Sequence, residues 1–348
     1  MDFSKTIKIG NNVLQRSGKT FIIAEAGVNH GGNMDHARKL VDIAVDAGVD
    51  AVKFQAFRTS ELIIQNVKKA PYQTKTTDKA ESQSDMLKKL ELQKDQYIEL
   101  KEYCEAKKII FLITPFDETS LKELEEIGVV AYKVASTDTT NLPFLKKIAQ
   151  TKKPIFLSTG MSYLEEIRSA LKEIHAYNKD VVLMQCTANY PIQDDEANLN
   201  VIRTFQENFN ILTGYSDHSI GIGAAPYALP MGVCVIEKHF TINKADEGPD
   251  HLASLDREEL KELVMEVRRI EKFLGSFEKV PTASELKTRR SLQKNLVAKT
   301  AIQEGELFSD ENVIAKRTGG EGISPINYTS VFGKSAKRAF HINEIIAI

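Results

Sequence analysis

Several residues that could perform chemistry lie directly after short apolar segments of this 348-residue chain. Lysine and hydroxyl side chains are suited to binding phosphate and carboxylate groups, and imidazoles are suited to binding divalent metal ions. General acid–base catalysis needs carboxylates within reach of a substrate, and Glu25 and Asp250 are the candidates to transfer protons or to orient water. The residues at the ends of the apolar segments are Glu25, Lys53, Gln55, Thr114, Lys133, Ser136, Ser158, Ser216, His218 and His239.

Two histidines end consecutive apolar segments. Ser216 and His218 share parity, as do Glu237 and His239, so in β-strands each pair would point to one face. Two imidazoles on neighbouring strands, with water and substrate oxygens in the other positions, suit a divalent metal ion. The pattern therefore predicts a metal site for Mn²⁺, with Mg²⁺ or Co²⁺ as possible substitutes. The alternative is a pair of buried structural histidines.

The two lysines are cations at the ends of apolar segments, where a buried charge without a partner is costly. Lys53 shares parity with Gln55, so both can face one interior. Lys53 and Lys133 each need an anionic partner, which could be Glu25, Asp138 or a bound ligand. A purely structural lysine–glutamate pair is the alternative to a ligand site.

The segments that carry these residues alternate with amphipathic helical patterns about eight times between residues 20 and 275. Continuous apolar strands that alternate with helices indicate a parallel sheet covered on both faces, and eight units in about 255 residues match a (β/α)8 barrel with its chemistry at the carboxyl ends of the strands. The apolar segments are FIIAEAG (21–27), AVKFQAF (51–57), IIFLITPF (109–116), AYKVAS (131–136), PIFLSTG (154–160), VVLMQCT (181–187), ILTGYSDH (211–218) and CVIEKHFT (234–241).

The chain divides into a barrel domain at 1–275, a charged linker at 276–290, and a small module of short strands and loops at 291–348. A long polar insertion at about 58–93 follows the second predicted strand. Long loops on the carboxyl face of a barrel usually belong to the binding site, so we expect this insertion there. A solvated surface excursion is the alternative.

Composition excludes some classes of partner. The formal net charge of −2 gives no general attraction to nucleic acid or to anionic membranes. No stretch of about 18 apolar residues is present that could span a bilayer, and the first residues lack the apolar region of a secretory signal. The three cysteines form no CxxC pair and are expected to be reduced in a cytoplasmic protein.

The motifs also resemble those of the sialic acid synthase family, over almost the whole chain. That family condenses phosphoenolpyruvate with an N-acetylated amino sugar. The segment IQEGELFSDENVIAKRTGGEGISP resembles the antifreeze-like (SAF) domain that follows the barrel in these enzymes. The barrel motifs that carry the resemblance are AEAGVNHGG (24–32), VKFQ (52–55), TPFD (114–117), YKVAS (132–136), LSTGM (157–161), CTANYP (186–191), YSDHS (215–219), EKHFT (237–241) and GPDH (248–251).

The resemblance implies roles for individual residues. His218 and His239 would bind the metal, usually Mn²⁺, and Arg317 would enter the active site of a partner subunit in a domain-swapped homodimer. The sugar would be faced by Gln55, Asp138, Tyr190 and Asp250. Phosphoenolpyruvate would be held by Lys53, Thr114, Lys133, Ser136, Ser158 and Ser216.

Two sugars are candidate substrates. The insertion looks most similar to that of the branch making N,N′-diacetyllegionaminate from 2,4-diacetamido-2,4,6-trideoxymannose, although some enzymes that use N-acetylmannosamine to make N-acetylneuraminate are similar. A non-catalytic carbohydrate-binding barrel and another metal-dependent barrel aldolase are the alternatives to such a synthase. The lysines and histidines at the strand ends argue against the former, and the antifreeze-like tail argues against the latter.

Overall fold

The computed structural model describes residues 1–348, apart from the side chain of Lys75. It divides the chain into two compact units, Met1–Gly275 and Ser276–Ile348. The first unit begins with an antiparallel hairpin of β1 (Thr6–Ile9) and β2 (Asn12–Gln15).

Eight parallel strands form a closed barrel, in which neighbours follow chain order and the last strand pairs with the first. Both faces of these strands are covered, which explains their continuous apolar sequences. The strands are β3 (Phe21–Gly27), β4 (Ala51–Ala56), β5 (Ile110–Pro115), β6 (Tyr132–Val134), β7 (Ile155–Ser158), β8 (Val181–Gln185), β9 (Leu212–Asp217) and β10 (Val235–His239). The predicted (β/α)8 barrel is thereby confirmed.

Helices cover the outside of the barrel, and local sequence sets their bounds. In the first, the Asn33 side chain accepts hydrogen bonds from the backbone N–H groups of Asp35 and His36, and Gly48 ends the helix in a left-handed conformation at φ 76°. The helices are α1 (Met34–Ala47), α2 (Thr59–Leu62), α3 (Gln83–Leu90), α4 (Lys94–Ala106), α5 (Glu118–Ile127), α6 (Leu142–Gln150), α7 (Leu164–His175), α8 (Val201–Phe209), α9 (Ala225–Ala228) and α10 (Arg257–Leu274).

The apolar core of this unit has two main layers. One lies between the barrel and the helices, and the other fills the barrel near the beginnings of the strands. Phe21, Leu112 and Phe156 belong to the inner layer, which Ile7 and Leu14 of the hairpin extend. Because apolar side chains fill that end, the polar residues are concentrated at the carboxyl ends of the strands.

The polar insertion contains α2, a 3₁₀ turn at Gln73–Lys75 and α3. Its ordered shape depends partly on Lys69, whose ammonium group donates hydrogen bonds to Thr77 Oγ1 (2.8 Å) and the Asp78 carbonyl (2.6 Å) and pairs with Glu81 (2.7 Å). The insertion also contributes to a separate apolar cluster that includes Phe57, Met86 and Leu90. It is therefore a packed part of the barrel unit.

The second unit pairs β11 (Lys294–Ala298) with β12 (Val313–Arg317) in an antiparallel sheet and has its own small core around Leu296, Ile302 and Phe308. It also contains α11 (Ala283–Leu292), which overlaps the segment interpreted as a linker. That segment has no apolar period, yet Thr282 caps the helix and Glu285 completes a capping box. The Thr-x-x-Glu pattern was the sequence signal for this helix.

Among the described residues, no helix is both long enough and apolar enough to cross a membrane. Cys104, Cys186 and Cys234 are buried and free, in agreement with the expectation of reduced thiols.

Gly32 is predicted to be essential for packing the insertion against the loop after β3. Its φ is +72°, and an added Cβ would lie 2.3 Å from the Lys89 carbonyl oxygen at the end of α3. We expect Gly32→Ala to lower the free energy of unfolding by more than the roughly 1 kcal/mol that a left-handed alanine costs, and to increase proteolysis within the insertion. Urea unfolding and limited proteolysis would measure the two effects.

Gly31→Ala is the matched control. Gly31 also has a left-handed φ, +60°, but nothing lies within 4 Å of its added Cβ. Equal destabilisation by the two variants would contradict the packing role of Gly32.

Candidate active site

A cavity of about 590 Å³ opens at the carboxyl ends of the barrel strands. Residues of all eight barrel strands or their following loops contribute to its wall. The insertion contributes to the wall as well, so it lies at the carboxyl face of the barrel as expected. The site residues expected from the sequence that line the cavity are Glu25, Lys53, Gln55, Thr114, Lys133, Ser136, Ser158, Tyr190, Ser216, His218, His239 and Asp250.

Two lysines and two glutamates form a buried charge network in this cavity. Lys53 Nζ lies 2.7 Å from Glu25 Oε2 and 3.8 Å from Glu237 Oε2. Lys133 Nζ lies 3.6 Å from Glu237 Oε1, and all four side chains are at most 5 % exposed. Glu237 is therefore shared between the two cations.

Hydroxyl groups complete the surroundings of the network. Lys53 donates a hydrogen bond to Thr114 Oγ1 (3.1 Å) and Lys133 donates one to Ser158 Oγ (2.5 Å). The Ser216 hydroxyl donates to Glu237 Oε1 at 3.0 Å. These contacts give both lysines a fixed direction at the strand ends, which a ligand phosphate or carboxylate could use.

The two glutamates have opposite pKa shifts. Burial raises the pKa of Glu25; Lys53 opposes this effect and Glu237 reinforces it. Burial also acts to raise the pKa of Glu237, but Lys133 and Lys53 together outweigh it and leave that pKa lowered. Glu25 is consequently the carboxyl of the network that is suited to holding a proton.

The two histidines lie side by side, with ring centroids 5.4 Å apart. The His218 Nδ1–H donates to the Thr187 carbonyl at 2.7 Å, which leaves Nε2 as the free nitrogen. Burial lowers the pKa of His218 to about 4, and burial together with His218 lowers that of His239 well below its usual value. Both imidazoles are therefore neutral at pH 7.

The pair fits a divalent metal ion. Neutral imidazoles are metal ligands, and a backbone carbonyl on the second nitrogen is a usual way to orient one. His239 Nδ1 is buried and has no hydrogen-bond partner among the described side chains. No group of three or more His, Cys, Asp and Glu side chains within the described part of the chain could hold an ion. Water or substrate oxygens would have to supply the other ligands.

Asp250 and Tyr190 adjoin the histidines. Asp250 Oδ2 lies 3.8 Å from His239 Nδ1, and burial, reinforced by Glu25, raises the pKa of Asp250 to about 7. The Tyr190 ring lies 4.1 Å from that of His218 and 5.0 Å from that of Tyr72, which belongs to the insertion. These aromatic contacts connect the insertion to the histidine pair.

Two placements differ from the sequence-based expectations. Asp138 does not line the cavity: β6 ends at Val134, a 3₁₀ turn follows, and Asp138 accepts a hydrogen bond from Asn141 (3.0 Å) while Thr137 faces the cavity. Lys53 pairs with Glu25, as expected, and also lies near Glu237. The partner of Lys133 is Glu237 and not Asp138. The sequence signal for Glu237 was that it shares strand parity with His239 and therefore lies on the same face of the strand.

Arg317 lies in the second unit. It is the last residue of β12 and is exposed.

The fold and the cavity together define a (β/α)8 barrel of the enzyme type, whose cavity contains two buried lysines and a pair of neutral imidazoles. The sequence profile of the NeuB family matches residues 40–279, and that of the SAF domain matches residues 294–347. The chain belongs to the NeuB family, and a SAF domain follows its barrel.

Individual relatives agree with this assignment. The N,N′-diacetyllegionaminic acid synthase of Campylobacter jejuni is 45 % identical, covering 94 % of this chain and 99 % of that protein. The synthase of the same name from Legionella pneumophila is 41 % identical, covering 90 % and 89 %. The crystal structure of the N-acetylneuraminic acid (sialic acid) synthetase of Leptospira borgpetersenii has a TM-score of 0.75 and 35 % identity, covering 84 % of this chain and 98 % of that one.

The raised pKa of Asp250 predicts a specific pH dependence of stability. Its pKa rises from 3.8 to about 7 on folding, so between these values the folded state binds more protons than the unfolded state. Raising the pH from about 4 to about 8 should therefore destabilise the wild type relative to Asp250→Asn by up to roughly 4 kcal/mol, and the difference should then stay constant at higher pH. Urea unfolding of the metal-free proteins, followed by circular dichroism, would measure the difference.

Asp195→Asn serves as the control because Asp195 is exposed. A pH-independent difference between the wild type and Asp250→Asn would show that Asp250 is not held in its protonated form.

Proposed function

We propose that this protein condenses phosphoenolpyruvate with an N-acetylated amino sugar to form a nine-carbon 2-keto-3-deoxy acid and phosphate. The observation that carries this proposal is the joining, in one cavity, of Lys53 and Lys133 with the pair His218 and His239. The first pair is suited to a small phosphorylated acid and the second to a metal ion. The NeuB family membership supports the same reaction.

Phosphoenolpyruvate would bind at the charge network, with contacts from Thr114, Ser136, Ser158 and Ser216 as well as the lysines. A proton on Glu25 would leave the two lysines facing one carboxylate, that of Glu237. The base of the cavity would then carry a net positive charge, as binding of phosphate and carboxylate requires. Burial raises the pKa of Glu25, which favours the protonated form of that carboxyl.

In the proposed reaction, C3 of phosphoenolpyruvate attacks C1 of the open-chain sugar, and a carbon–carbon bond forms while positive charge develops at C2. Water adds at C2, and loss of phosphate from that carbon leaves the 2-keto acid. A divalent ion held by His218 and His239, with Mn²⁺ the first candidate, would polarise the sugar aldehyde as a Lewis acid. Glu25 and Asp250, as buried carboxyls with raised pKa values, would hold or move protons.

The sugar would contact Gln55, Tyr190 and Asp250. We favour 2,4-diacetamido-2,4,6-trideoxymannose over N-acetylmannosamine because the insertion gives the cavity an apolar wall, which includes Leu62, Ile63 and Met86. Such a wall suits the methyl group of a 6-deoxy sugar better than a hydroxymethyl group. The identity to the two legionaminic acid synthases is 45 % and 41 %, which is higher than the 35 % identity to the sialic acid synthetase of Leptospira borgpetersenii. This difference supports the same preference.

We further propose that the enzyme is a domain-swapped homodimer, in which Arg317 of one subunit contacts the substrate in the barrel of the other. Arg317 is exposed, and the described side chains that line the cavity include no arginine. A guanidinium would suit the carboxylate or polar oxygens of the ligands. Helix α11 has no buried residue within its unit, so it has free surface for contact with another chain. In this proposal, the barrel domain is 1–275, the connecting segment is 276–290, and the domain that carries Arg317 is 291–348.

Phosphate release tests the reaction. With phosphoenolpyruvate and Mn²⁺, the purified protein should release phosphate on addition of 2,4-diacetamido-2,4,6-trideoxymannose. N-Acetylmannosamine should react about 10- to 100-fold less efficiently in kcat/KM, because an apolar wall tolerates an added hydroxyl only partly. N-Acetylmannosamine 6-phosphate is the third substrate to assay.

Lys53→Met is the negative control for this assay, since it removes a cation from the proposed phosphoenolpyruvate site. No phosphate release with any of the three sugars would contradict the proposed reaction and favour a carbohydrate-binding barrel. A preference for N-acetylmannosamine would contradict only the proposed sugar.

Complementation tests the swapped site. Arg317→Ala and Lys53→Ala proteins should each be nearly inactive, but after subunit exchange the barrel of the first would receive the arginine of the second. Random exchange should restore about a quarter of wild-type activity, because half of the dimers then contain one complete site. No recovery after demonstrated exchange would show that Arg317 does not act on the partner's barrel.

A further inference from the structure

The residues immediately before the two site histidines form an ion pair on the opposite face of the barrel wall. Asp217 and Lys238 are direct partners in the pairing of β9 with β10, and both side chains are fully buried. Lys238 Nζ lies 3.1 Å from Asp217 Oδ2. Because side chains alternate along strands, this pair faces the helices, whereas His218 and His239 face the cavity.

The same two residues also hold Ser219, which follows His218. Lys238 Nζ donates to the Ser219 carbonyl at 2.5 Å. The Ser219 backbone N–H and hydroxyl both donate to Asp217 Oδ1, at 2.9 and 2.6 Å. Lys238 therefore contacts both residues that flank His218, namely the side chain of Asp217 and the carbonyl of Ser219. Lys238 is also the residue before His239 in the chain.

The next loop fits tightly around this network. Ala225 N–H donates to Asp217 Oδ2 at 3.0 Å, and Ala224 N–H donates to Ser219 Oγ at 3.1 Å. Gly223 has a φ of +49°, and an added Cβ would lie 1.8 Å from Ser219 Oγ. There is consequently no room for Ser219 to shift while the loop keeps its path.

A buried ion pair is weak evidence for stability, because desolvation of both charges offsets their attraction. The directional contacts of this pair have a clearer consequence, since they restrict the backbone at both histidines. We propose that Asp217 and Lys238 are positioning residues that set the separation and orientation of His218 and His239 for one divalent ion. This inference rests on the metal-binding role proposed for the histidines.

Metal binding without turnover tests the inference. The full-length protein is stripped of metal, and Mn²⁺ is titrated by calorimetry without substrate. Lys238→Met should raise the Kd for Mn²⁺ about 10- to 100-fold, as the loss of groups that orient metal ligands generally does. Ser219→Ala keeps the ion pair and removes only the hydroxyl contacts, so it should raise the Kd by a smaller factor.

Arg268→Met is the matched control. Arg268 Nη2 pairs with Asp50 Oδ2 at 2.8 Å near the beginnings of the strands, away from the cavity. This variant should lower the thermal midpoint and leave the Kd for Mn²⁺ unchanged.

The possible results distinguish the positioning role of Asp217 and Lys238 from the metal-binding role of the two histidines. If the variants lose thermal stability but keep the wild-type Kd, the network is merely structural and the positioning role is overturned. If Lys238→Met does not fold, Ser219→Ala decides by the same criterion. If the wild-type protein binds no divalent ion, the proposed metal site itself is overturned, and the positioning role with it.

Discussion

The burial of two lysines and two glutamates at one end of the barrel is the constraint on which the site depends. Lys53, Lys133, Glu25 and Glu237 are almost completely shielded from water, so each charge requires a partner within a few ångströms. Glu237 lies near both Lys53 and Lys133, so the two lysines share one carboxylate. A shared anion leaves hydrogen-bonding capacity on both lysines, and this makes the network suitable for an anionic ligand.

The barrel satisfies this constraint by dividing its interior into two parts. Large apolar side chains such as Phe21 and Phe156 fill the region near the beginnings of the strands. The carboxyl ends of the strands are left to polar groups, whose hydroxyl and amide partners lie on neighbouring strands. Gln55, for example, donates to Glu25 Oε1 at 3.1 Å across the β3–β4 pair. Stability and chemistry are therefore supplied by different layers of one fold.

The insertion determines the character of the cavity mouth. Lys69 holds its loop together by hydrogen bonds, and Gly32 leaves room for its close approach to the barrel. Tyr72 of the insertion contacts the ring of Tyr190, which in turn contacts the ring of His218. Because the insertion supplies apolar and amide side chains to a wall that faces a charged base, the cavity can accommodate a ligand with distinct polar and apolar ends. That division agrees with a small acid at the base and an acetylated sugar above it.

The sequence by itself determined the barrel, because eight apolar segments in alternation with helices leave few other folds, and strand parity placed Lys53, Gln55, His218 and His239 on one face. Which charges meet was decided only by the tertiary structure. Barrel closure brings β10 beside β3, and so places Glu237 between the lysines, while the turn after β6 directs Asp138 to Asn141. Parity fixes the face on which a side chain lies, but partners across a closed barrel depend on strand tilt and on where each strand ends, which no local pattern specifies.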